Sequence, residues 1–545
     1  MLPTHPVIRT IGSVPPISTA PQAAPDVAAE AVRRRTFAVI SHPDAGKSTL
    51  TEALALHARV IGEAGAVHGK SGRRAVISDW MEMEQARGIS VTSAALQFEY
   101  AGHVVNLLDT PGHADFSEDT YRVLAAVDCA VMLLDAAKGL EPQTLKLFDV
   151  CRHRGVPVVT FVNKWDRPGM HALDLVDELE QRIGLRATPV NWPVGEAGVF
   201  HGLLNRADET LTTFERAPGG ARIAAEQTLP ADQAKQRHPE EWSTALDEVA
   251  LLDTVDTSSF LGGQTTPLLF GAGVVNIGVR QLLDTLVELA PAPEARADVD
   301  GVARPVDAPF SGLVFKVQAG MDRAHRDRLA FVRVCSGRFE RGAVVTHAAT
   351  GRPFATKYAR TMLGRERETI DVAYPGDIVG LVNANALTVG DTLYADGAPV
   401  TFPPMPSFAP EHFVTARTTD TGKAKQFRRG IEQLAEEGVV QILQSSRRGD
   451  GAPILAAVGP LQFEVATARL GQEFGVPVAL DQLPYGLARR TDADSVAALD
   501  AEAGVEVAER RDGALLALFP DKWRLASVQR RHPDLLLEPL VAGTE

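Results

Sequence analysis

Short apolar runs alternate with longer amphipathic stretches through the first half of the chain. The runs read "FAVI", "VVNLLDT", "CAVMLLDA", "VPVVTFVN" and "PLLFGAG", and stretches with helical periodicity lie between them. Strands that are apolar along their whole length are typical of a parallel sheet with helices on both faces. The pattern therefore predicts an α/β domain over residues 33–290.

A different period follows a linker rich in proline and alanine at residues 291–304. Between residues 305 and 402, "SGLVFKVQ", "DRLAFVRVCSG", "GAVVTH" and "GDIVGLVN" alternate apolar and polar positions, with glycine turns between them. Alternation with period two is typical of strands that bury one face. We expect an antiparallel β-barrel here.

The last segment, residues 403–545, mixes helical and strand periods. It reads β-α-β-β-α-β, from "HFVTART" through the helical "KAKQFRRGIEQLAEE" and "PLQFEVATARLGQEF" to "VPVAL". This is the order of a ferredoxin-like α+β domain. The residues after about 486 alternate again, and we expect them to extend the same domain.

Composition and charge argue against a membrane-spanning, disulfide-rich or nucleic-acid-coating protein. The 545 residues are 45% hydrophobic and 23% charged, which is ordinary for a globular protein with several cores. No window approaches the ~20 apolar residues of a membrane span, so we expect no membrane partner. The cysteines lie far apart without CxxC spacing, which argues against disulfides and against a zinc site built on cysteines, and favours the reducing cytosol. A net charge of −14 argues against coating of nucleic acid, but it leaves a local basic face possible.

The N-terminal residues 1–32 are rich in proline and alanine and lack the features of a secretory signal. We expect a disordered tail. An organelle transit peptide is the weaker alternative, because Arg9 is the only strong base in the first part of this segment.

The segment "FAVISHPDAGKSTLTEALALHA", which starts at Phe37, carries the first candidate site. Its "SHPDAGKS" fits the phosphate-binding loop G-x-x-x-x-G-K-[ST], with Ser41 at the first glycine position. Gly46 allows close approach of a phosphate, Lys47 reaches the outer phosphates, and the helix N-terminus adds positive partial charge. The alternative is a serine-containing turn, which the strand–loop–helix setting disfavours. The candidate nucleotide-binding residues here are Ser41, His42, Pro43, Asp44, Ala45, Gly46, Lys47, Ser48 and Thr49, with the Ser48 hydroxyl as a Mg²⁺ ligand.

The segment "VVNLLDTPGH" ends a second buried strand at Asp109. An aspartate there can hold Mg²⁺ through water, and the backbone N–H of Gly112 could sense a γ-phosphate. A lone histidine is usually a surface or packing residue, but His113 follows a strand end, which favours a place near the phosphates. The candidate nucleotide-binding residues here are Asp109, Thr110, Pro111, Gly112 and His113.

The segment "FVNKWD" ends a third strand and would read the base. The Asp166 carboxylate can accept from both N1–H and N2–H₂ of guanine, a donor pair that adenine lacks. Asn163 can bond the acceptor side of the base, and the stem of Lys164 can pack over the ring. The tetrapeptide alone is common, but as the third motif in this order it indicates a GTPase.

These motifs resemble those of translational GTPases of the elongation factor G-like family. "SHPDAGKS", "RGIS", "DTPGHADFSEDTYR", "FVNKWDR", "PLLFGAGVVNIGV", "AHRDRLAFVRVCSGRFERG" and "VGPLQFEV" are similar to the bacterial release factor 3 branch of that family. The resemblance spans roughly residues 33–530. Elongation factor G shares the GTPase motifs, but it is much longer and usually has threonine where Ser90 stands.

The resemblance implies roles for further residues. Ser90 would join Ser48 and Asp109 at Mg²⁺ in the GTP state. His113 would position the attacking water, behind an apolar gate formed by Pro43 and Ile89. Catalysis would depend on His113, Lys47 and Gly112.

A loop at Gly271, Ala272 and Gly273 would contact the base through its backbone, according to the same resemblance. The family usually has Ser-Ala where this chain has Ala272-Gly273. Backbone contacts survive that change, whereas a side-chain hydroxyl does not.

The implied function is ribosome-stimulated hydrolysis of GTP to GDP and phosphate, which promotes dissociation of class-one release factors after peptide release. The chain ends before the elongated decoding-site module of elongation factor G, so we expect it to act by changing ribosome conformation. The expected partners are rRNA, ribosomal proteins and class-one factors, with a cytoplasmic location and a monomer off the ribosome. The alternatives are a translocase or ribosomal-protection GTPase, and a non-catalytic GTP-binding scaffold.

Two arginine clusters have more than one interpretation. Each could be a solvated charged face or a contact with rRNA phosphates. Cys335, on the same predicted strand as part of the first cluster, is predicted to pack in the core. The clusters are Arg323, Arg326, Arg328 and Arg333 in the barrel, and Arg428, Arg429, Arg447 and Arg448 in the last domain.

Overall fold

The computed structural model describes residues 26–58, 95–111, 117–215, 225–319, 328–363, 366–395, 397–405, 409–448 and 452–540. Several predictions therefore fall outside the described residues: most of the N-terminal tail, Ile89, Ser90, Gly112, His113, Arg323 and Arg326. Within the described ranges, no helix has both the length and the apolar character that crossing a membrane requires.

The first domain alternates strands and helices, as its apolar runs predict. Its strands are β1 (Arg34–Ser41), β2 (Ala95–Tyr100), β3 (His103–Asp109), β4 (Cys129–Asp135), β5 (Val158–Asn163), β6 (Arg186–Pro189), β7 (Asn191–Glu196), β8 (Val199–Asn205), β9 (Thr210–Phe214), β10 (Glu226–Leu229) and β11 (Thr265–Phe270). Its helices are α1 (Val27–Val32), α2 (Lys47–His57), α3 (Ser117–Leu124), α4 (Pro142–His153), α5 (Ala172–Ile183), α6 (Ala231–Arg237), α7 (Pro239–Ala250), α8 (Thr257–Leu261) and α9 (Val279–Leu289).

A seven-stranded sheet in the order β2-β3-β1-β4-β5-β11-β6 organises this domain. Every position of β4 and β5 is buried, because helices cover both faces of the sheet. The strand pairs are parallel except for β2 with β3. The carboxyl ends of β1, β3 and β5 therefore meet at one edge, which is where open α/β sheets bind ligands.

The first domain also contains an antiparallel unit that the sequence did not predict. Strands β7 to β10, which follow β6 and precede β11 along the chain, form a separate four-stranded sheet in the order β10-β9-β8-β7. Trp192 and Leu203 of this unit pack in the same core cluster as Trp242 of α7 and Phe270 of β11. The unit is thus fixed to the main sheet by a shared apolar core.

The second domain is the expected antiparallel β-barrel. Its main sheet has the order β18-β17-β23-β14-β15-β22-β19-β20, around a core that includes Val314, Val332, Val379 and Leu393. Cys335 is buried, as predicted. The strands from the linker onward are β12 (Arg296–Ala297), β13 (Ala303–Arg304), β14 (Ser311–Ala319), β15 (Arg328–Ser336), β16 (Phe339–Glu340), β17 (Val344–His347), β18 (Arg352–Ala355), β19 (Ala359–Leu363), β20 (Glu366–Thr369), β21 (Val372–Ala373), β22 (Ile378–Val382) and β23 (Thr392–Ala395).

The third domain is α+β, with an eight-stranded sheet in which the ferredoxin-like part and the later strands are continuous. Its elements are β24 (His412–Thr418), α10 (Ala424–Glu436), β25 (Gln441–Gln444), β26 (Ile454–Ala457), α11 (Pro460–Phe474), β27 (Val478–Gln482), β28 (Leu487–Thr491), α12 (Val496–Ala501), β29 (Glu506–Arg510), β30 (Leu515–Phe519), α13 (Lys522–Arg531) and β31 (Glu538–Pro539). The sheet order is β27-β24-β26-β25-β29-β30-β28-β31. Pairing of β25 with β29 joins the ferredoxin-like strands and the later strands in one sheet.

The described arginines of the barrel cluster form internal ion pairs. Arg333 is 5% exposed, and its guanidinium lies 2.7 Å and 2.8 Å from the two carboxylate oxygens of Asp128 in the first domain. Arg328 lies 2.6 Å from Glu436 of the third domain. Each guanidinium is therefore paired with a carboxylate of another domain rather than forming a solvated charged face, and contact with rRNA stays a prediction.

The second arginine cluster divides into two pairs. Arg448 lies 2.7 Å from the Glu506 carboxylate, and Arg447 lies 3.0 Å from that of Asp500, so both serve contacts within the third domain. Arg428 and Arg429 are exposed on α10. For these two, solvation and rRNA contact both remain predictions.

Candidate nucleotide site

The loop between β1 and α2 has a backbone that requires glycine at its last position. Gly46 has φ +96°, and a Cβ there would lie 2.5 Å from Nδ2 of Asn163. Asp44 also adopts a left-handed conformation, with φ 66°. The loop therefore turns sharply onto the N-terminus of α2, and its backbone lies against the segment predicted to read the base.

Asn163 joins the phosphate loop to the predicted base loop. Its Nδ2 donates to the carbonyl of Ala45 at 2.8 Å, and its Oδ1 accepts from the N–H of Gly273 at 2.8 Å. The side chain is buried, so these bonds are shielded from water. Asn163 thus holds two loops in register, and only the second hydrogen of Nδ2 is left for the predicted contact with the base.

Lys164 connects the same segment to a carboxylate that sequence reasoning missed. Its ammonium lies 2.8 Å from Oδ2 of Asp135, the last residue of β4, and it also donates to the carbonyl of Asp44. The other oxygen of Asp135 accepts from the N–H of Ala137 at 2.9 Å. Burial alone would raise the pKa of Asp135, but these donors and the charge of Lys164 bring the pKa below its usual value. The sequence feature that could have identified Asp135 is its position as a carboxylate at the end of a buried strand.

Asp166 has an oxygen that needs a donor. Its Oδ1 is buried and accepts no hydrogen bond from the described part of the chain. Its Oδ2 lies 3.9 Å from Nε of the exposed Arg167. An unsatisfied buried carboxylate oxygen is unfavourable, and the paired N–H groups of guanine have the chemistry to satisfy it.

The loop from Gly271 to Gly273 lies beside this carboxylate segment. The N–H of Trp165 donates to the carbonyl of Gly271 at 3.0 Å, and the N–H of Gly271 donates to the carbonyl of Val162 at 2.9 Å. A Cβ at Gly271 would lie 2.4 Å from the carbonyl oxygen of Ile277, so this position must be glycine. The two predicted guanine segments are therefore bonded to each other through their backbones.

Lys47 connects the phosphate loop to the end of β3. Its ammonium lies 3.4 Å from Oγ1 of Thr110, which in turn donates to the carbonyl of Val39 at 2.6 Å. Asp109 is buried and pairs in register with Val39 of β1. Asp109 is the last residue of β3, and Ser48 follows Lys47 in the first turn of α2. Carboxylate and hydroxyl oxygens are ligands that Mg²⁺ accepts.

His42 is buried within the loop and contacts a second missed carboxylate. Its Nε2 lies 2.9 Å from Oε2 of Glu141, the residue that precedes α4. Burial lowers the pKa of His42, although Glu141 opposes this effect. The hydroxyl of Ser41 donates to the carbonyl of His42 at 3.0 Å, so serine at the first loop position supplies a local bond that glycine could not.

The described site residues meet at one edge of the sheet, whereas four others remain predictions. The phosphate loop, Asp109, Thr110, Asn163, Lys164, Asp166 and the loop from Gly271 to Gly273 are brought together at the carboxyl ends of β1, β3, β5 and β11. Ile89, Ser90, Gly112 and His113 lie outside the described residues.

Comparison with known families gives three consecutive matches. The elongation factor Tu GTP-binding domain matches residues 32–292, and elongation factor G domain 2 matches residues 309–396. The C-terminal domain of the class II release factor RF3 matches residues 402–529. The order of these matches agrees with the three domains of the fold.

Relatives of known name align along nearly the whole chain. Peptide chain release factor 3 of Synechocystis sp. is 47% identical, over 96% of this chain and 98% of its own length. That of Gloeobacter violaceus is 46% identical, over 94% of this chain and 98% of its own length. A crystal structure of a protein from Thermus thermophilus superposes with a TM-score of 0.67 at 23% identity, covering 84% of this chain and 69% of that one, which shows a shared fold.

Proposed function

The chain belongs to the peptide chain release factor 3 family, and from this premise we propose how its residues bind GTP and act on the ribosome. It is a translational GTPase of translation termination, and it hydrolyses GTP to GDP and phosphate. Our proposal is that its GTP-bound form promotes dissociation of class-one release factors after the peptide has been released.

The observation that carries the nucleotide assignment is the buried Oδ1 of Asp166. This oxygen has no hydrogen-bond donor among the described residues, and it lies in a segment bonded to the phosphate loop through Asn163. We assign guanine N1–H and N2–H₂ as the donors. ATP would leave the carboxylate unsatisfied, which is the physical basis for selecting GTP.

The proposed hydrolysis is attack of water on the γ-phosphate, with GDP as the leaving group. Backbone N–H groups of the loop ending at Gly46 hold the phosphates, and Lys47 stabilises the negative charge that develops on them. His113 orients the attacking water, and the N–H of Gly112 contacts the γ-phosphate. Bound Mg²⁺ would neutralise phosphate charge, with Ser48, Ser90 and Asp109 as its proposed ligands.

Helix α3 connects the segment proposed to contact the phosphates with the other two domains, because it begins soon after residues 109–113. Asp119 of this helix lies 3.1 Å from Nζ of Lys316 in the barrel. Arg122 donates to the carbonyl of Glu437 in the third domain at 3.3 Å. A rearrangement around the γ-phosphate can therefore alter contacts with both domains at once.

We propose that this rearrangement alters the conformation of the ribosome, and that the altered ribosome releases a class-one factor. A ribosome conformation that binds this GTPase more tightly and the release factor more weakly gives displacement by reciprocal coupling. The proposed contacts are with rRNA and ribosomal proteins, in the cytoplasm, by a protein that is monomeric off the ribosome. The C-terminal match to a release factor supports this role over a translocase.

The proposal is tested by measuring ribosome-dependent GTP hydrolysis together with dissociation of a labelled class-one factor from terminated ribosomes. Stimulated hydrolysis with faster dissociation is expected. Stimulated hydrolysis with tRNA translocation and no change in dissociation would contradict the proposed role, while leaving the GTPase activity intact.

A further inference from the structure

Three side chains of the antiparallel unit in the first domain come together away from the nucleotide site. Within the described ranges, His201, His238 and Glu241 are the group whose potential metal-ligand atoms all lie within 4.8 Å of one another. The imidazole rings of His201 and His238 stack with centroids 4.0 Å apart and 14° between their planes. Nε2 of His201 lies 3.6 Å from Oε1 of Glu241.

The backbone directs each of these side chains to the same place. In the pairing of β7 with β8, Val194 lies opposite Gly202 and Gly195 lies opposite Phe200, so His201 is the extra residue of a β-bulge. Bulges re-aim the side chain that they carry. His201 leaves the regular alternation of β8 and stacks on the joint between α6 and α7.

The junction between α6 and α7 positions the other two side chains. His238 separates α6 from α7, its N–H donates to the carbonyl of Ala234 at 2.9 Å, and its carbonyl accepts from the N–H of Trp242 at 2.9 Å. Glu241 lies three residues later, in the first turn of α7, which places it on the same side of the helix as His238.

We propose that His201, His238 and Glu241 bind a divalent transition-metal ion of the Zn²⁺ class that clips strand β8 to helix α7. Two imidazole nitrogens and one carboxylate oxygen are the donor set that Zn²⁺ and its neighbours prefer, whereas Mg²⁺ and Ca²⁺ prefer oxygen alone. The exposed side of the group leaves coordination positions for water and a path for entry.

Binding requires a local adjustment of the rings. Ligand atoms around one Zn²⁺ ion lie about 2.0–2.2 Å from it, so the stacked rings must turn their nitrogens toward a common point. His201 and Glu241 are 34% and 43% exposed at their side chains, and such side chains reorient rapidly. The backbone positions already bring all three within reach.

The test uses tag-free full-length protein. Zn²⁺ bound per chain is measured by equilibrium dialysis, and thermal unfolding is followed with and without Zn²⁺. We expect about one equivalent of bound Zn²⁺ and a higher unfolding temperature. H201Q and H238Q should each weaken binding at least tenfold and remove the temperature shift, and Mg²⁺ should not compete.

The chain offers a matched control in His171. Its Nε2 lies 3.3 Å from Oε1 of Glu248, also on α7, but this pair lacks a second imidazole. H171Q should bind Zn²⁺ like the unmodified protein. Because His201 is exposed, H201Q should fold normally, which GDP binding and circular dichroism would check; E241Q provides an independent loss of a ligand. Unchanged Zn²⁺ binding in H201Q, or equal loss in H171Q, would overturn the proposal.

Discussion

The guanidinium of Arg34 lies 2.8 Å from the carboxylate of Asp377, and both side chains are buried where the first domain meets the barrel. Arg34 begins β1, the strand that ends at the phosphate loop. The same carboxylate accepts from Gln97 at 3.0 Å, and Thr36 donates to the carbonyl of Gly376 at 2.8 Å. The two domains are thus joined by a polar network whose members satisfy each other.

Removing Arg34 should destabilise the protein strongly. Arg34→Met leaves the Asp377 carboxylate buried without its cation, which typically costs about 3–5 kcal/mol. Arg33→Ala is the matched control, because Arg33 is 45% exposed in its pair with Glu30 and should cost about 1 kcal/mol or less. Denaturant unfolding of both variants measures the difference, and equal losses would contradict a structural role for the buried pair.

Changing Asp166 should change which base is bound. Asp166→Asn replaces an acceptor oxygen by an amide that can donate, so preference should move from guanine toward xanthine nucleotides. Competition of GTP, XTP and ATP for the site measures this shift. Arg167→Ala, at the exposed neighbour, should leave selectivity unchanged. Equal binding of ATP and GTP by the unmodified protein would reject the assignment of Asp166.

Gly46 should tolerate no side chain. Gly46→Ala combines a left-handed φ with a Cβ 2.5 Å from Nδ2 of Asn163, so GDP affinity should fall by at least about tenfold as the loop distorts. Gly184→Ala is the matched control, because Gly184 has φ +69° with no atom within 4 Å of its Cβ position. It should lose about 1 kcal/mol of stability and keep its GDP affinity. Equal GDP affinity in both variants would mean that Asn163 does not hold the loop.

Substitution of His113 should impair catalysis, whereas substitution of Lys47 should impair nucleotide binding. His113→Ala should keep GTP affinity and lower ribosome-stimulated hydrolysis by about a hundredfold or more, the cost of losing a positioned catalytic group. Lys47→Ala should weaken nucleotide binding itself. Single-turnover hydrolysis and equilibrium binding distinguish the two, and normal hydrolysis by His113→Ala would show that the histidine is structural.

The candidate residues whose place in the fold could be predicted from sequence are those that end a buried strand. The strands before Ser41, Asp109 and Asn163 are apolar throughout, so a parallel sheet and a common edge could be predicted from them. Asp135 also ends such a strand, but no motif marked it. The antiparallel unit of β7 to β10 was missed because its short strands lie inside a long α/β pattern and have no distinct period of their own.

Contacts between distant residues could not be predicted. Nothing in the sequence around Arg333 distinguishes it from a surface arginine, and its partner Asp128 is 205 positions away. Both hydrogen bonds of Asn163 go to backbone groups, which carry no sequence signal. The proximity of His201 and His238 depends on a β-bulge and on the junction between two helices. Hydrophobic periodicity in the sequence predicts neither feature.

Displacement of a class-one factor can be measured by following a fluorescent factor on terminated ribosomes. Dissociation should accelerate when this protein is added with GTP or with a non-hydrolysable analogue, and not with GDP. Departure of the protein itself should require hydrolysis, because the γ-phosphate maintains the tightly bound state. Unchanged dissociation with both triphosphates would show that this protein does not displace the class-one factor.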